Sequence, residues 1–243
     1  MTLTSVLASL GTAVGIAMAL APIPTMRTIA DTKALGEFSV FPYIVTFCQC
    51  LLWMTYAGVT PGKGALLPVN IFICVVECAY CVIFLKYSST TNRPDLIKTI
   101  SLPLSVTVVG ILLSFLTSSP SKFVGFFAVL SNIIMYAAPL AVVKTVIETK
   151  SVKYMPFLLS FVGTIASVIW SCWAVSANDS FVLVPNVLGI FLGLIQLAVY
   201  AKFRNADANS TEDAIRRYYT STTAGAEPDE AQLSTVDSSL MKQ

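Results

Sequence analysis

APLAVVKTVIETK at residues 138–150 restates, in altered spelling, APIPTMRTIADTK at residues 21–33. Ala, Pro, two Thr and the closing Lys are identical, and Ile/Leu, Met/Val, Arg/Lys, Ile/Val and Asp/Glu exchange like for like. The copies lie 117 residues apart, and the echo extends beyond them. Pro42 in FSVFPYI answers Pro156 in KYMPFLL, and Trp53-Met-Thr-Tyr56 answers Trp170-Ser-Cys-Trp173. Leu67-Pro68-Val69-Asn70 answers Val184-Pro185-Asn186, and FLKY at 84–87 answers YAKF at 200–203, with offsets between 114 and 117. One unit is used twice.

The unit is built for lipid. Hydrophobic residues make up 56% of the chain and charged residues 12%, with a mean hydropathy of +0.77, outside the soluble globular range. Apolar runs fall near 4–24, 39–58, 66–87, 98–117, 123–143, 155–177 and 181–202. Each holds roughly 20 residues, enough at about 1.5 Å rise per residue to cross a ~30 Å hydrocarbon layer. Apart from lysines at their ends, the one ionisable carboxylate or amine within them is Glu77. The first run lacks the basic start of a secretory signal and is read as a permanent span. Seven membrane helices follow.

Lys and Arg set the expected orientation. Arg27, Lys33, Lys86, Arg93, Lys98, Lys144, Lys150, Lys153, Lys202 and Arg204 fall on one side, and only Lys63 and Lys122 on the other. The positive-inside rule places the N-terminus outside and the C-terminus in the cytosol. The net charge of +2 is the remainder of this asymmetry and gives no sign of a nucleic-acid partner. Residues 204–243 are polar, rich in Ser, Thr, Ala and Asp, and read as a disordered cytosolic tail.

Parity then dictates the architecture. A three-helix unit ends on the side opposite its start, so two units joined directly would be antiparallel. Both carry their basic loop after the first helix on the same face, so they are parallel and one crossing must lie between them. The expected division is a first bundle over 1–97, a linker helix over 98–122, a second bundle over 123–203 and the tail: an all-α membrane protein of 3+1+3 helices. A seven-helix receptor with accidental internal similarity is the alternative.

MYAAPLAVVKTVIETKSVKYMPFLLS (135–160) and PNVLGIFLGLIQLAVY (185–200) closely resemble the SWEET family of sugar transporters, and APIPT, FSVFPY, LLW and VEC-AYCVIF resemble it less tightly. The resemblance covers about residues 5–203. It implies bidirectional sugar uniport by alternating access; SWEETs are themselves a known instance of parallel transporter repeats, with substrate bound at the repeat interface near the midplane.

Several residues acquire expected roles. Pro22, Pro139, Pro42 and Pro156 form two matched pairs; a helical proline loses a donor and kinks the helix, so the four read as hinges, and the resemblance implies rocking about them. The plainer alternative is the general abundance of proline in membrane helices. Asn70 and Asn186 occupy corresponding places in the third helix of each unit. Their carboxamides need partners in hydrocarbon, which sugar hydroxyls supply, unless they serve as interhelical glue. Trp53 and Trp170 suit the apolar face of a pyranose, or else the interfacial belt; Trp173 is assigned to that belt or to packing. The resemblance places Trp53 and Trp170 in the pocket. Met135 stands where sucrose-moving members carry Val, implying a monosaccharide, and Gln49 stands where Asn or Ser is usual. By the repeat alignment Tyr56 and Asp179 lie at the outer ends of helices two and six, where the resemblance implies an outer gate closed by a Tyr–Asp hydrogen bond; the alternative is two surface polar residues. Ala57 and Ala174 replace glycines common beside that gate.

Glu77 reads as a structural, hydrogen-bonding acid, with a proton relay as the alternative. No histidine is present, which removes Ser-His-Asp and His-metal chemistry, and no paired intramembrane aspartates exist for a protease. Cys78-Ala-Tyr-Cys81 has redox spacing but lies in an apolar span, where small packing residues are the plainer reading. No enzyme, cofactor or metal is expected. GTAVG and GIFLG carry GxxxG spacing, suited to close approach within the bundle or in a homo-oligomer. The function expected is facilitative transport of a hexose such as glucose across the bilayer. A ligand-binding receptor or sorter, and a proton-coupled organic-solute exporter using Glu77, stand as alternatives. The plasma membrane is the default location, a vacuolar or other internal membrane the alternative.

Overall fold

The computed structural model describes residues 2–153, 155 and 157–222, and the side chains of these apart from 138 and 205–222. Among the described residues there is no strand. Helices α1 (Leu3–Leu20) and α2 (Ile23–Thr32) share the first span, followed by α3 (Phe41–Val59), a 3₁₀ turn (Gly64–Leu66) and α4 (Leu67–Tyr87). Helix α5 (Arg93–Ser114) stands alone. Helices α6 (Pro120–Met135) and α7 (Ala137–Thr149) share the fifth span, and α8 (Phe157–Ser176) and α9 (Ser180–Thr222) complete the chain. Among the described residues seven helical stretches are long and apolar enough to cross a membrane. The chain is a multi-pass membrane protein.

Element starts follow local chemistry. Helices α3, α4, α5 and α6 carry Pro42, Pro68, Pro94 and Pro120 in their first turns, where a missing N–H leaves no intrahelical bond unmade. Helix α5 begins at Arg93, five residues before the apolar run suggested, because a first turn tolerates Arg93 and Asp95 without apolar character. Helix α9 runs on as backbone to Thr222, past the expected start of a disordered tail at 204. Residues 205–222 contain neither Pro nor Gly, so no strong breaker ends the helix that leaves the span, and a helix can run on there without a core. The rest of that expected tail, 223–243, lies outside the described residues.

The repeat is legible in the backbone. Lys33 caps α2 and Lys150 caps α7, both left-handed at φ 54°. The Thr32 and Thr149 hydroxyls each donate at 2.8 Å to the carbonyl four residues earlier, of Thr28 and Thr145. Contacts between the units obey the same exchange: α1 packs on α8 as α3 packs on α6. GTAVG and GIFLG are used within the chain. Gly11 faces Trp170, Gly15 faces Val69, Gly189 faces Ser167 and Tyr136, and Gly193 faces Thr164. Such small-residue contacts matter because lipid offers no hydrophobic drive to helix association.

Packing differs between the two ends of the molecule. At the end bearing Lys63 and Asp179, one apolar core spans both units: Ala8, Leu52, Tyr56 and Ala57 from the first meet Val124, Ala128, Trp173, Ala174 and Val182 from the second. At the end bearing the basic loops, each unit has its own. Met26, Ile29, Ile44, Tyr80 and Phe84 form one core, Val143, Val146 and Met155 the other. The units are joined at one end and separately packed at the other. Helix α5 lies chiefly against α3 and leaves Leu102, Val106, Val109 and Leu112 exposed, as a lipid-facing linker requires.

Candidate functional site

Between the units lies a cavity of about 400 Å³ walled by α1, α3, α4, α6, α8 and α9. Its size is within the usual range for small-molecule sites. Trp53, Trp170, Asn70, Asn186, Gln49 and Met135, the expected pocket residues, all line it. Most of the wall consists of repeat mates: Trp53 with Trp170, Asn70 with Asn186, Leu66 with Val182, Met18 with Met135. The cavity therefore sits on the pseudo-two-fold axis.

Both amides are held in the same way. Asn70 Nδ2 donates to Leu66 O at 2.8 Å and Asn186 Nδ2 to Val182 O at 2.7 Å, each one turn back along its own helix. Each amide thus spends one donor locally, and its carbonyl oxygen has no protein partner among the described residues. Asn132 repeats the arrangement, donating to Ala128 O at 3.0 Å. It lines the cavity, but its repeat mate is Gly15, so no pairing singled it out in the sequence. Met18, the mate of Met135 at the 117-residue offset, lines the cavity as well.

One end of this cavity is closed. Tyr56 Oη donates to Asp179 at 3.0 Å to Oδ1 and 3.1 Å to Oδ2, and the Val182 N–H also reaches Oδ1, at 3.1 Å. Lys63, noticed in the sequence only as a stray positive charge, completes the closure. Its Nζ lies 3.3 Å from Asp179 Oδ2, donates to Ala177 O at 2.6 Å and stands 5.9 Å from the centre of the Trp173 ring. Trp173 is fully buried in the shared core, so of its two expected placements packing is the one observed. Ala57 and Ala174 are buried in that core too.

On the other side the cavity adjoins a second one, of about 460 Å³, with Met18, Asn132, Ala166 and Asn186 common to both walls. It reaches Met155, Leu159 and Gln196, towards the basic loops, and is lined by Tyr136, Ser160, Thr164 and Ser167. The Tyr136 hydroxyl donates to Pro185 O at 2.5 Å.

The prolines divide. At Pro22 the first span breaks, and the Ala21 N–H bonds Met18 O at 3.2 Å, the carbonyl that a residue other than proline would have taken. Pro139 enters just after the matching break between α6 and α7, where the Tyr136 N–H is shared between Asn132 O and Ile133 O. Pro42 lies in the first turn of α3, at the start of its span, and the kink expected of it is not formed there: in the first turn no carbonyl four residues back is left for the ring to strike. Pro156 lies outside the described residues.

A family model described as "Sugar efflux transporter for intercellular exchange" matches the chain twice, over residues 5–92 and 122–208, one match per repeat. The chain belongs to the SWEET family. Similar proteins include the bidirectional sugar transporter SWEET16 of Arabidopsis thaliana, 35% identical over 82% of this chain and 88% of the relative. SWEET17 of the same plant is 36% identical over 81% and 84%, and SWEET5 is 33% identical over 89% and 94%. The solved structure of a eukaryotic SWEET transporter superposes with a TM-score of 0.76 at 29% identity, covering 84% of this chain and all of that one. SWEETs are transporters and not enzymes.

Proposed function

We propose that this SWEET is a facilitative, bidirectional sugar uniporter that moves a glucose-type hexose by alternating access. The observation carrying the proposal is the paired wall of the cavity. Two indoles offer apolar faces and three carboxamides offer unpaired carbonyl oxygens, a combination suited to a ring with C–H faces and a hydroxyl rim. The match to transporters named for sugar supports the substrate class.

Alternating access is supported by the uneven packing. A single core and the Tyr56–Asp179–Lys63 cluster close one end, whereas the basic end has two cores with a polar-lined void beside them. With the basic loops cytosolic, this is an inward-facing arrangement. Rocking the units about the breaks at Pro22 and Pro139 would open the cluster and bring the two basic-end cores together.

The decisive experiment is counterflow in liposomes containing the full chain. Glucose is expected to exchange saturably with no pH gradient, and Asn70→Ala and Asn186→Ala to abolish exchange while the protein remains folded. Binding without exchange would favour a receptor, and exchange that needs a proton gradient would favour the exporter reading of Glu77.

A further inference from the structure

Glu77 occupies a costly position that packing alone does not explain. It lies in α4 seven residues after Asn70, about 10 Å further along the helix, and lines the same cavity near Thr46, Cys50 and Ala19. The residue is only 5% exposed, yet Oε2 is buried without any hydrogen-bond partner. No hydrogen bond or ion pair reaches the carboxyl among the described residues. Of the hydroxyls in this region, that of Tyr80 donates to Ala19 O at 2.9 Å and that of Thr46 to Pro42 O at 2.9 Å, and that of Tyr43 forms no hydrogen bond to the carboxyl. A structural acid should show a partner. This one shows none, and an unmatched buried polar group is destabilising.

The repeat sharpens the point. In the register that relates Asn70 to Asn186, Glu77 falls on Gly193. There the Thr164 hydroxyl occupies the space a Cβ would need, so no side chain fits. Asn70 with Asn186 and Trp53 with Trp170 line the cavity as symmetric pairs, whereas Glu77, like Asn132 (mate Gly15) and Gln49 (mate Ala166), is present on one side only. The paired residues alone accept a ring in two orientations related by the axis, and the one-sided groups, Glu77 the one carboxyl among them, distinguish the two.

We propose that Glu77 is a substrate-binding residue of the central cavity, bonding one hydroxyl of the sugar and, with the other one-sided groups, fixing the ring in one of the two orientations that the paired Asn and Trp residues accept. This rests on the sugar-transport reading. The orphaned Oε2 is then matched only when substrate is present, and a ligand lacking that hydroxyl leaves it orphaned again. Sites built to bond a hydroxyl discriminate strongly against analogues without it.

The test uses the reconstituted full chain, with glucose and its 2-, 3-, 4- and 6-deoxy analogues competing for counterflow. Wild type should lose about tenfold or more in apparent affinity for one deoxy sugar beyond its losses for the others. Glu77→Leu should raise the glucose KM by about tenfold and erase the penalty at that single position, leaving the other penalties in place. Glu77→Gln, closest in volume, should restore part of the discrimination; if the Leu variant does not fold, this comparison carries the test. Identical deoxy patterns in wild type and variants overturn the proposal, as does a uniform loss across all five sugars, which would mark Glu77 as structural. A wild-type protein that exchanges no sugar overturns the transport reading together with this one.

Discussion

Lys63 Nζ lies 3.3 Å from Asp179 Oδ2, and the two residues hold equivalent places in the two repeats, 116 positions apart, the spacing that also relates Asn70 to Asn186. The pseudo-two-fold axis therefore passes through an ion pair. The same exchange relates Tyr56 to Trp173, so the hydroxyl contact of Tyr56 with Asp179 answers the stacking of Lys63 over Trp173. Each unit contributes one charge and one aromatic ring to the closed end. The four symmetric positions form a complementary surface about the axis and not a self-pairing one.

The two charges are nevertheless unequal in their dependence on each other. Asp179 has a fully buried side chain and three donors, from Tyr56, Lys63 and Val182. Asp179→Ala should cost about 3–5 kcal/mol of stability, since it strands Lys63 and uncaps α9. Lys63→Met should cost only about 1–2 kcal/mol, because Tyr56 and Val182 still satisfy the carboxylate. The exchange of both residues, K63D with D179K, restores opposite charges but not the acceptor for Tyr56 and Val182, and should leave transport impaired. Thermal unfolding in detergent beside counterflow measures all three; equal losses for the two single variants would contradict this ordering.

Gly11 tests the indole wall from behind. A Cβ at Gly11 would come within 2.7 Å of Trp170 Cε2, so Gly11→Ala must displace α1 or push the indole into the cavity. Overpacking of this kind costs about 1–3 kcal/mol, and the glucose KM should rise with it. Gly58→Ala, which meets nothing within 4 Å, is the control and should change neither. An unchanged KM in Gly11→Ala would mean that Trp170 does not wall the binding site.

Periodicity, charge and the internal echo made the seven spans and the paired pocket residues legible, because both depend on features repeated along the chain. What departs from the repeat was hidden. Asn132 has Gly15 as its mate, and Lys63 has Asp179, so neither pair matches by residue type. Pro42 and Pro22 look alike as letters, yet one starts a helix and the other interrupts a span, a difference set by where the preceding turn begins. The path of α9 beyond Arg204 was missed because low hydrophobicity excludes a core without excluding a helix.

The matched caps offer a stability test independent of transport. Lys33 and Lys150 both sit at φ 54°, a region that costs a residue with a Cβ about 1–2 kcal/mol, whereas glycine adopts it freely at some expense in unfolded-state entropy. Lys33→Gly and Lys150→Gly should each stabilise by about 0.5–1 kcal/mol, and the two gains should add, since the caps belong to separate units. A rise in Tm for each, and a larger one for the pair, is the expected reading. A fall in either would show that its lysine makes a compensating contact.

Substrate size should respond to Met18 and Met135 together. Both thioethers line the central cavity from equivalent places on α1 and α6, so shortening one leaves the other protruding across the axis. Met135→Val alone should admit a disaccharide poorly. Met18→Val alone should behave alike if the axis governs the cavity. The double variant should raise the ratio of sucrose to glucose counterflow by about tenfold or more, a change typical of pockets that gain or lose a methylene's worth of space. Glucose flux should fall only modestly, because the Asn and Trp positions are untouched. If the ratio stays fixed in the double variant while glucose still exchanges, thioether bulk does not set size, and the reach of Gln49 across the same cavity becomes the next constraint to remove.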